Sequence, residues 1–178
     1  MEVKKMYEIV KTYKQTIPAM RFIGIKYGDE DRIDGGFGPK WGQWFETGSF
    51  NRLESLITDD FKSVYEDFNS YIGLMRYKEG EKFEYWIGIF LPEETTVPEG
   101  YEYIDFSSSS LGVCWLHGSE QELYCNEDDC AQKLSKEGYE IVTDNLGALW
   151  SFERYRCPRF TTPDEMGKVI LDICFFVK

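Results

Sequence analysis

Phe22-Ile23-Gly24-Ile25-Lys26-Tyr27 in the first half of the chain is echoed by Leu111-Gly112-Val113-Cys114-Trp115-Leu116 in the second. Two more pairs keep the same order. Leu74-Met75-Arg76-Tyr77 matches Phe152-Glu153-Arg154-Tyr155, and Trp86-Ile87-Gly88-Ile89-Phe90-Leu91 matches Asp172-Ile173-Cys174-Phe175-Phe176-Val177. Each segment lies roughly 80–90 residues from its echo, one long period that points to two copies of a supersecondary unit rather than a many-repeat solenoid. The copies span about residues 1–92 and 99–178 of a single domain covering 1–178. Two such units meet at a seam, and seams make clefts.

Hydrophobic patterning fills in each unit. Tyr7 to Tyr13 and Met20 to Tyr27 read as strands, with a turn at Thr16-Ile17-Pro18 between them. Gly28 to Pro39 is rich in Gly and Asp and reads as a loop. Trp41 to Ile57 carries apolar residues at helical spacing with a break near Gly48. Asp59 to Asn69 reads as a second helical piece, capped by Thr58 or Asp59, with Phe61, Val64, Tyr65 and Phe68 on one face. Strands Ile72 to Tyr77 and Phe83 to Leu91 are joined by the turn Lys78 to Glu81. After the linker Glu93 to Gly100 the order repeats. Strand Tyr101 to Phe106, turn Ser107 to Ser110 and strand Leu111 to His117 precede a helix capped at Asn126 and stopped at Gly138. Strands Ala148 to Arg156 and Lys168 to Val177 close the chain. The expected fold class is α+β: two strand-strand-helix-strand-strand units in a pseudo-two-fold, two-layer sandwich with a ligand cleft between the halves. Helices are expected on one sheet face, with the other partly open.

The bulk properties exclude several functions. The 178 residues suffice for a real core. The net charge of −12, with no dense Lys/Arg cluster, speaks against direct nucleic-acid binding. No apolar run approaches a membrane span. Five cysteines, an odd number, and an N-terminus without an apolar h-region predict reduced thiols and a cytoplasmic protein. With His117 the single histidine, a His-based triad or metal site is nearly excluded, and Cys125 and Cys130 lack a second Cys pair to complete a zinc site. No cofactor and no metal are expected. The loop Gly28 to Gly38 has neither a Gly-Lys-Ser/Thr ending nor a dinucleotide fingerprint.

The aromatic share is 17%, which implies either a bulky core or a ring-lined pocket. Along Ala148 to Arg156, alternation puts Trp150, Phe152 and Arg154 on one face and Ser151, Glu153 and Tyr155 on the other. Glu153 stands where the first copy has Met75, so the duplication loses its symmetry there. The residues leave two readings open. Glu153 faces solvent or pairs with Arg76, Arg154 or Arg156, or it sits in the cleft. In the second case Tyr71, Met75 and Tyr77, Trp86 and Phe90, and Trp115 are the expected walls. A carboxylate among aromatic faces suits a lipophilic cation, because the ring quadrupoles attract it and the carboxylate neutralises it. Burial raises the carboxylate's pKa, which is also how a general acid or base is made.

The stretch Ile17-Pro18-Ala19-Met20-Arg21-Phe22-Ile23-Gly24-Ile25, followed by a Gly-rich loop and Trp41, resembles the opening of GyrI-like domains. These are also known as AraC-type, or bacterial transcription activator, effector-binding domains. Tyr101-Glu102-Tyr103-Ile104 through Gly118 is similar to their midpoint, and Phe152-Glu153-Arg154-Tyr155 with a last strand ending near Val177-Lys178 to their close. The stretches Thr58 to Asn69 and Cys157 to Gly167 are longer than the family's pattern. The resemblance implies a duplicated fold with a cleft that senses drug-like, often cationic and aromatic, molecules. It implies that Glu153 occupies the position of the family's ligand-contacting glutamate, with Tyr155 and the cleft aromatics beside it. It also implies a form without the helix-turn-helix of multidrug regulators. Three functions follow as expectations: binding or sequestering a lipophilic cation with Glu153 as counter-ion, hydrolysis of a reactive natural product with Glu153 as catalytic group, or interaction with a protein such as gyrase or a regulator.

Overall fold

Eight strands form one antiparallel sheet in the computed structural model, which describes residues 4–178. They are β1 (Glu8–Ile17), β2 (Met20–Tyr27), β3 (Ser70–Tyr77), β4 (Glu84–Pro92), β5 (Glu102–Phe106), β6 (Ser109–Gly118), β7 (Leu149–Arg156) and β8 (Val169–Val177). Four helices accompany them: α1 (Gly38–Glu46), α2 (Ser49–Glu54), α3 (Asp59–Val64) and α4 (Glu127–Lys136). The fold is α+β, with strand order β1-β6-β8-β7-β3-β4-β2-β5. The central pair is β7 and β3, one strand from each half of the chain.

Side-chain alternation gives the sheet two apolar faces. One carries Phe22, Ile72, Leu74, Trp86, Phe90, Val113, Phe152 and Cys174 in a single core cluster. Strand twist curls this face onto itself. Phe106 of the edge strand β5 stacks on Phe176 of β8 at 5.2 Å between centroids, although four strands lie between them in the sheet. Phe61 in α3 and Tyr65 just after it plug the same interior. This face is therefore closed, where the sequence suggested a partly open one.

The closed face also buries charge. Arg154 and Asp172 are wholly inaccessible, and Arg154 Nε donates to Asp172 Oδ2 at 2.8 Å. The Arg154 guanidinium also reaches Gln15 Oε1 at 2.9 Å and Asp67 Oδ2 at 3.3 Å, and Arg159 joins from the loop after β7. These contacts tie β1, β7, β8 and the 3-10 turn Glu66–Phe68 together. Buried charge of this kind persists only when each partner is satisfied.

On the opposite face α1 and α2 cover β2 and β4, where Trp44, Phe50 and Leu53 pack on Ile23, Ile87, Ile89 and Leu91. α4 covers β6 and β8, where Cys130 and Leu134 pack on Cys114, Leu116, Leu171 and Phe175. Gly48, at φ 67°, supplies the left-handed residue that breaks α1 from α2.

Several local expectations change. β1 continues to Ile17, which pairs with Ser109 and is buried, so the first turn narrows to Pro18-Ala19 and the turn after β5 also shortens. The expected loop Gly28 to Pro39 contains a 3-10 turn at Asp29–Asp31, and α1 takes in Pro39 at its first turn. Thr58 caps α3 by accepting from Phe61 N at 3.2 Å. That helix ends at Val64, because Tyr65 adopts an extended conformation (φ −133°) that turns its ring inward and leaves Val64 60% exposed. Asn126 precedes α4 without a side-chain cap, since its amide donates instead to the Glu122 carbonyl at 2.9 Å.

Candidate functional site

The two helical covers do not meet. α1 and α2 occupy one half of the sheet and α4 the other, leaving the outer face of β3 and β7 bare between them. The gap is a cavity of about 1130 Å³. Its floor is made by the side chains that alternation sends to this face: Tyr71, Met75 and Tyr77 of β3, and Ser151, Glu153 and Tyr155 of β7.

Glu153 is 6% exposed at the centre of that floor. Tyr85 Oη donates to its Oε1 at 3.1 Å, and Tyr155 Oη, on the same strand, donates to its Oε2. Trp41 Nε1 from α1 donates in turn to Tyr85 Oη at 3.0 Å. Rings fix these donors. Phe37 stacks on Tyr85 at 4.2 Å, while Trp41 and Phe160 approach Tyr155 edge-on at 5.0 and 4.7 Å. Across the sheet from Glu153 stands Gly73. A Cβ there would lie 2.5 Å from Tyr85 Oη and 3.1 Å from Glu153 Oε1, so the absence of a side chain gives the carboxylate and its donor their room.

The arginines considered as partners of Glu153 are engaged elsewhere. Arg154 faces the other side of the sheet, Arg76 pairs with Glu81 at 2.6 Å, and Arg156 pairs with Asp67 at 3.3 Å. Burial without a counter-ion raises the Glu153 carboxyl from its ordinary 4.5 to about 7. The Tyr155 and Tyr85 hydrogen bonds oppose that rise, while the negative charge of Glu127 adds to it. Burial and the neighbouring carboxylate push both phenols well above their usual range, so they remain protonated donors. The arrangement can hold a cation against aromatic faces, or exchange a proton near neutrality.

Of the residues singled out from sequence, Glu153, Tyr155, Tyr71, Met75 and Tyr77 line this cavity. Trp86, Phe90 and Trp115 do not. Trp86 and Phe90 are buried in the core of the closed face, and Trp115 sits on that face between the Lys11 and Arg159 cations, each 4.6 Å from a ring centroid. The cause is parity. The β3–β4 register sets Leu74 opposite Trp86 and Met75 opposite Tyr85, so Tyr85, one residue earlier, reaches the cavity. The run from Tyr85 to Leu91 is almost continuously apolar, and such a strand gives no alternation from which to read its faces. Phe37, Trp41 and Phe160 come from loops and a helix, and only tertiary packing brings them to the site. Of the other candidates, His117 lies apart and pairs with Asp164 at 2.9 Å, whereas Cys125 lines the cavity, as does Cys157, and all five cysteines are free. Among the described residues no group of three His, Cys, Asp or Glu side chains gathers as a metal site, and no helix is long and apolar enough to cross a membrane.

No family model matches the chain, and no curated protein matches it. Solved structures do. A protein from Staphylococcus aureus MU50, named as a candidate bacterial transcription regulation protein, aligns with TM-score 0.64 at 18% identity, over 94% of this chain and 98% of its own. The structure of SAV2435 bound to tetraphenylphosphonium aligns with TM-score 0.67 at 17% identity, over 95% and 94%. The chain shares their fold. EcmrR, in a complex with DNA, aligns with TM-score 0.56 at 10% identity over 98% of this chain, which spans 59% of that longer protein. The resemblance to GyrI-like effector-binding domains is thus met as a likeness of fold.

Proposed function

We propose that this protein binds lipophilic, cationic aromatic small molecules in the cavity over β3 and β7, with Glu153 as the counter-ion, and acts as a sensor or sequestering protein for them. The observation that carries the reading is a carboxylate buried among Tyr71, Tyr85, Trp41, Tyr155 and Phe160 with, among the described residues, no cationic side chain paired to it. A buried charge left without a counter-ion is costly to the fold, and an incoming cation supplies the missing partner. The rings add cation–π attraction, on the order of 2 kcal/mol where the contact is desolvated. The net charge of −12 favours approach of cations. SAV2435, of the same fold, has been seen with a tetraphenyl cation. We also read the cavity as the seam of a duplicated unit. Exchanging β1–β4 with β5–β8 in the strand order returns the same order reversed, as a pseudo-two-fold between β3 and β7 would require.

The test uses isosteric ions. Tetraphenylphosphonium and tetraphenylborate share shape and differ in charge sign. Tryptophan fluorescence and calorimetry should show binding of the phosphonium alone, weakened on the order of ten-fold or more by Glu153→Gln, as loss of the ion–ion attraction at a buried site requires. Equal binding of both ions, or unchanged affinity in the variant, would sink the proposal. A carboxyl held near 7 also suits a general base, which supports hydrolysis as a second reading. Incubation with cationic aromatic esters, followed by mass, separates the two. Products that carry an added water and depend on Glu153 would put hydrolysis first.

A further inference from the structure

Glu153 is not the only carboxylate facing the cavity. Glu127, the first residue of α4, lines the wall opposite α1 and is half-buried, and Asp128 and Glu120 stand beside it nearer the opening. Acidic residues in a first helical turn ordinarily complement the helix dipole and face solvent. Here the first turn divides. Asp129 turns away to Lys5, at 2.7 Å, and to Tyr7, whereas Glu127 and Asp128 turn to the cavity, and among the described residues neither forms an ion pair. Burial raises the Glu127 carboxyl, and its charge is felt at both Glu153 and Tyr85.

Among the described residues the single lining cation, Arg32, does not offset them. Arg32, in the loop before α1, donates to Asp29 Oδ1 at 2.8 Å and to the Gly35 carbonyl at 3.1 Å, and its guanidinium packs over Phe37 at 4.6 Å. Four lining carboxylates thus face one arginine that is already paired. The volume, about 1130 Å³, lies above the range of roughly 300–1,000 Å³ usual for a small-molecule pocket, so one compact cation would leave much of it empty.

Building on the proposed cation site at Glu153, we infer that the cavity is made for a dication: an elongated molecule with one aromatic cationic head over Glu153 on the sheet floor and a second positive group at Glu127 and Asp128 on α4. The floor supplies rings and a buried charge, and the α4 wall supplies a half-solvated carboxylate pair. The second head can therefore be smaller and more polar than the first.

The probes are bis(triphenylphosphonium) alkanes with a series of linker lengths. Each is compared with its isostere in which one phosphonium is replaced by a neutral triphenylmethyl group. Size and apolar surface are matched, so only the second charge differs. Calorimetry on the wild-type protein should give tighter binding of the dication, on the order of ten-fold at the best linker length, as expected of one added ion–ion attraction at a half-solvated wall. Glu127→Gln should abolish that advantage while changing monocation affinity less than about three-fold, because Glu153 still holds the first head. Glu127→Asp, which keeps the charge, should retain part of the advantage. Equal binding of dication and isostere at every linker length overturns the inference. So does a Glu127→Gln protein that loses affinity equally for both, since that is a general field effect. If Glu153→Gln leaves monocation binding unchanged, the underlying reading falls with it, and that result is distinct from either of the others.

Discussion

Glu153→Gln should make the protein more stable above neutral pH, by an amount that vanishes in mild acid. The folded protein holds this carboxyl at about 7, against an ordinary 4.5. The folded state therefore binds a proton that the unfolded chain has already released, and stability falls as pH rises through that window. At 1.36 kcal/mol for each unit of pKa, the full cost above neutrality is on the order of 3 kcal/mol. Tyr85, Tyr155 and Glu127 face the carboxyl and are already included in its position near 7. A glutamine has no charge to bury and escapes this term. For a domain of this size each kcal/mol moves Tm by roughly 2–4 °C, so the variant should gain roughly 6–12 °C over wild type between about pH 5 and pH 8. Differential scanning calorimetry across that range measures it. A Tm difference independent of pH would refute the argument, because altered hydrogen bonds to Tyr85 and Tyr155 alone carry no such dependence. A stability cost relieved by removing the carboxylate is the trade-off that the proposed binding role of Glu153 entails.

Cation binding should release a proton: near pH 7, roughly half a proton per ligand, read from calorimetry in buffers of differing ionisation enthalpy, with affinity rising as pH rises towards 8. No release would mean that Glu153 is already ionised in the free protein. Gly73→Ala should displace the Tyr85 hydroxyl from Glu153, since the new Cβ would come within 2.5 Å of it. The expected cost is about 1–3 kcal/mol in urea unfolding, together with weakened phosphonium binding. A variant as stable and as tight as wild type would show that the room at this glycine is not needed. Arg154→Met leaves Asp172 and Asp67 short of a buried partner and should cost about 3–5 kcal/mol in urea unfolding, with little change in ligand affinity while the protein stays folded.

Much of the architecture was legible in the chain. The paired echoes at Phe22 and Leu111, at Leu74 and Phe152, and at Trp86 and Asp172 fall in β2 and β6, β3 and β7, and β4 and β8. Alternation along β7 separated Glu153 from Arg154, because a strand's side chains must alternate whatever surrounds it. The sequence therefore determined by itself that a carboxylate and Tyr155 share one strand face, that β3 contributes Tyr71, Met75 and Tyr77 in one parity, and that no basic footprint exists. Only the tertiary structure decided which face of β4 meets that carboxylate. Register is a property of two strands, and an apolar run such as Tyr85 to Leu91 fits either way until its partner is fixed. It alone brought Phe37, Trp41 and Phe160 over the floor, and turned Glu127 inward while Asp129 went to Lys5. It alone withheld an arginine from Glu153. Ion pairing depends on distances between elements far apart in sequence, and a one-dimensional pattern does not contain them.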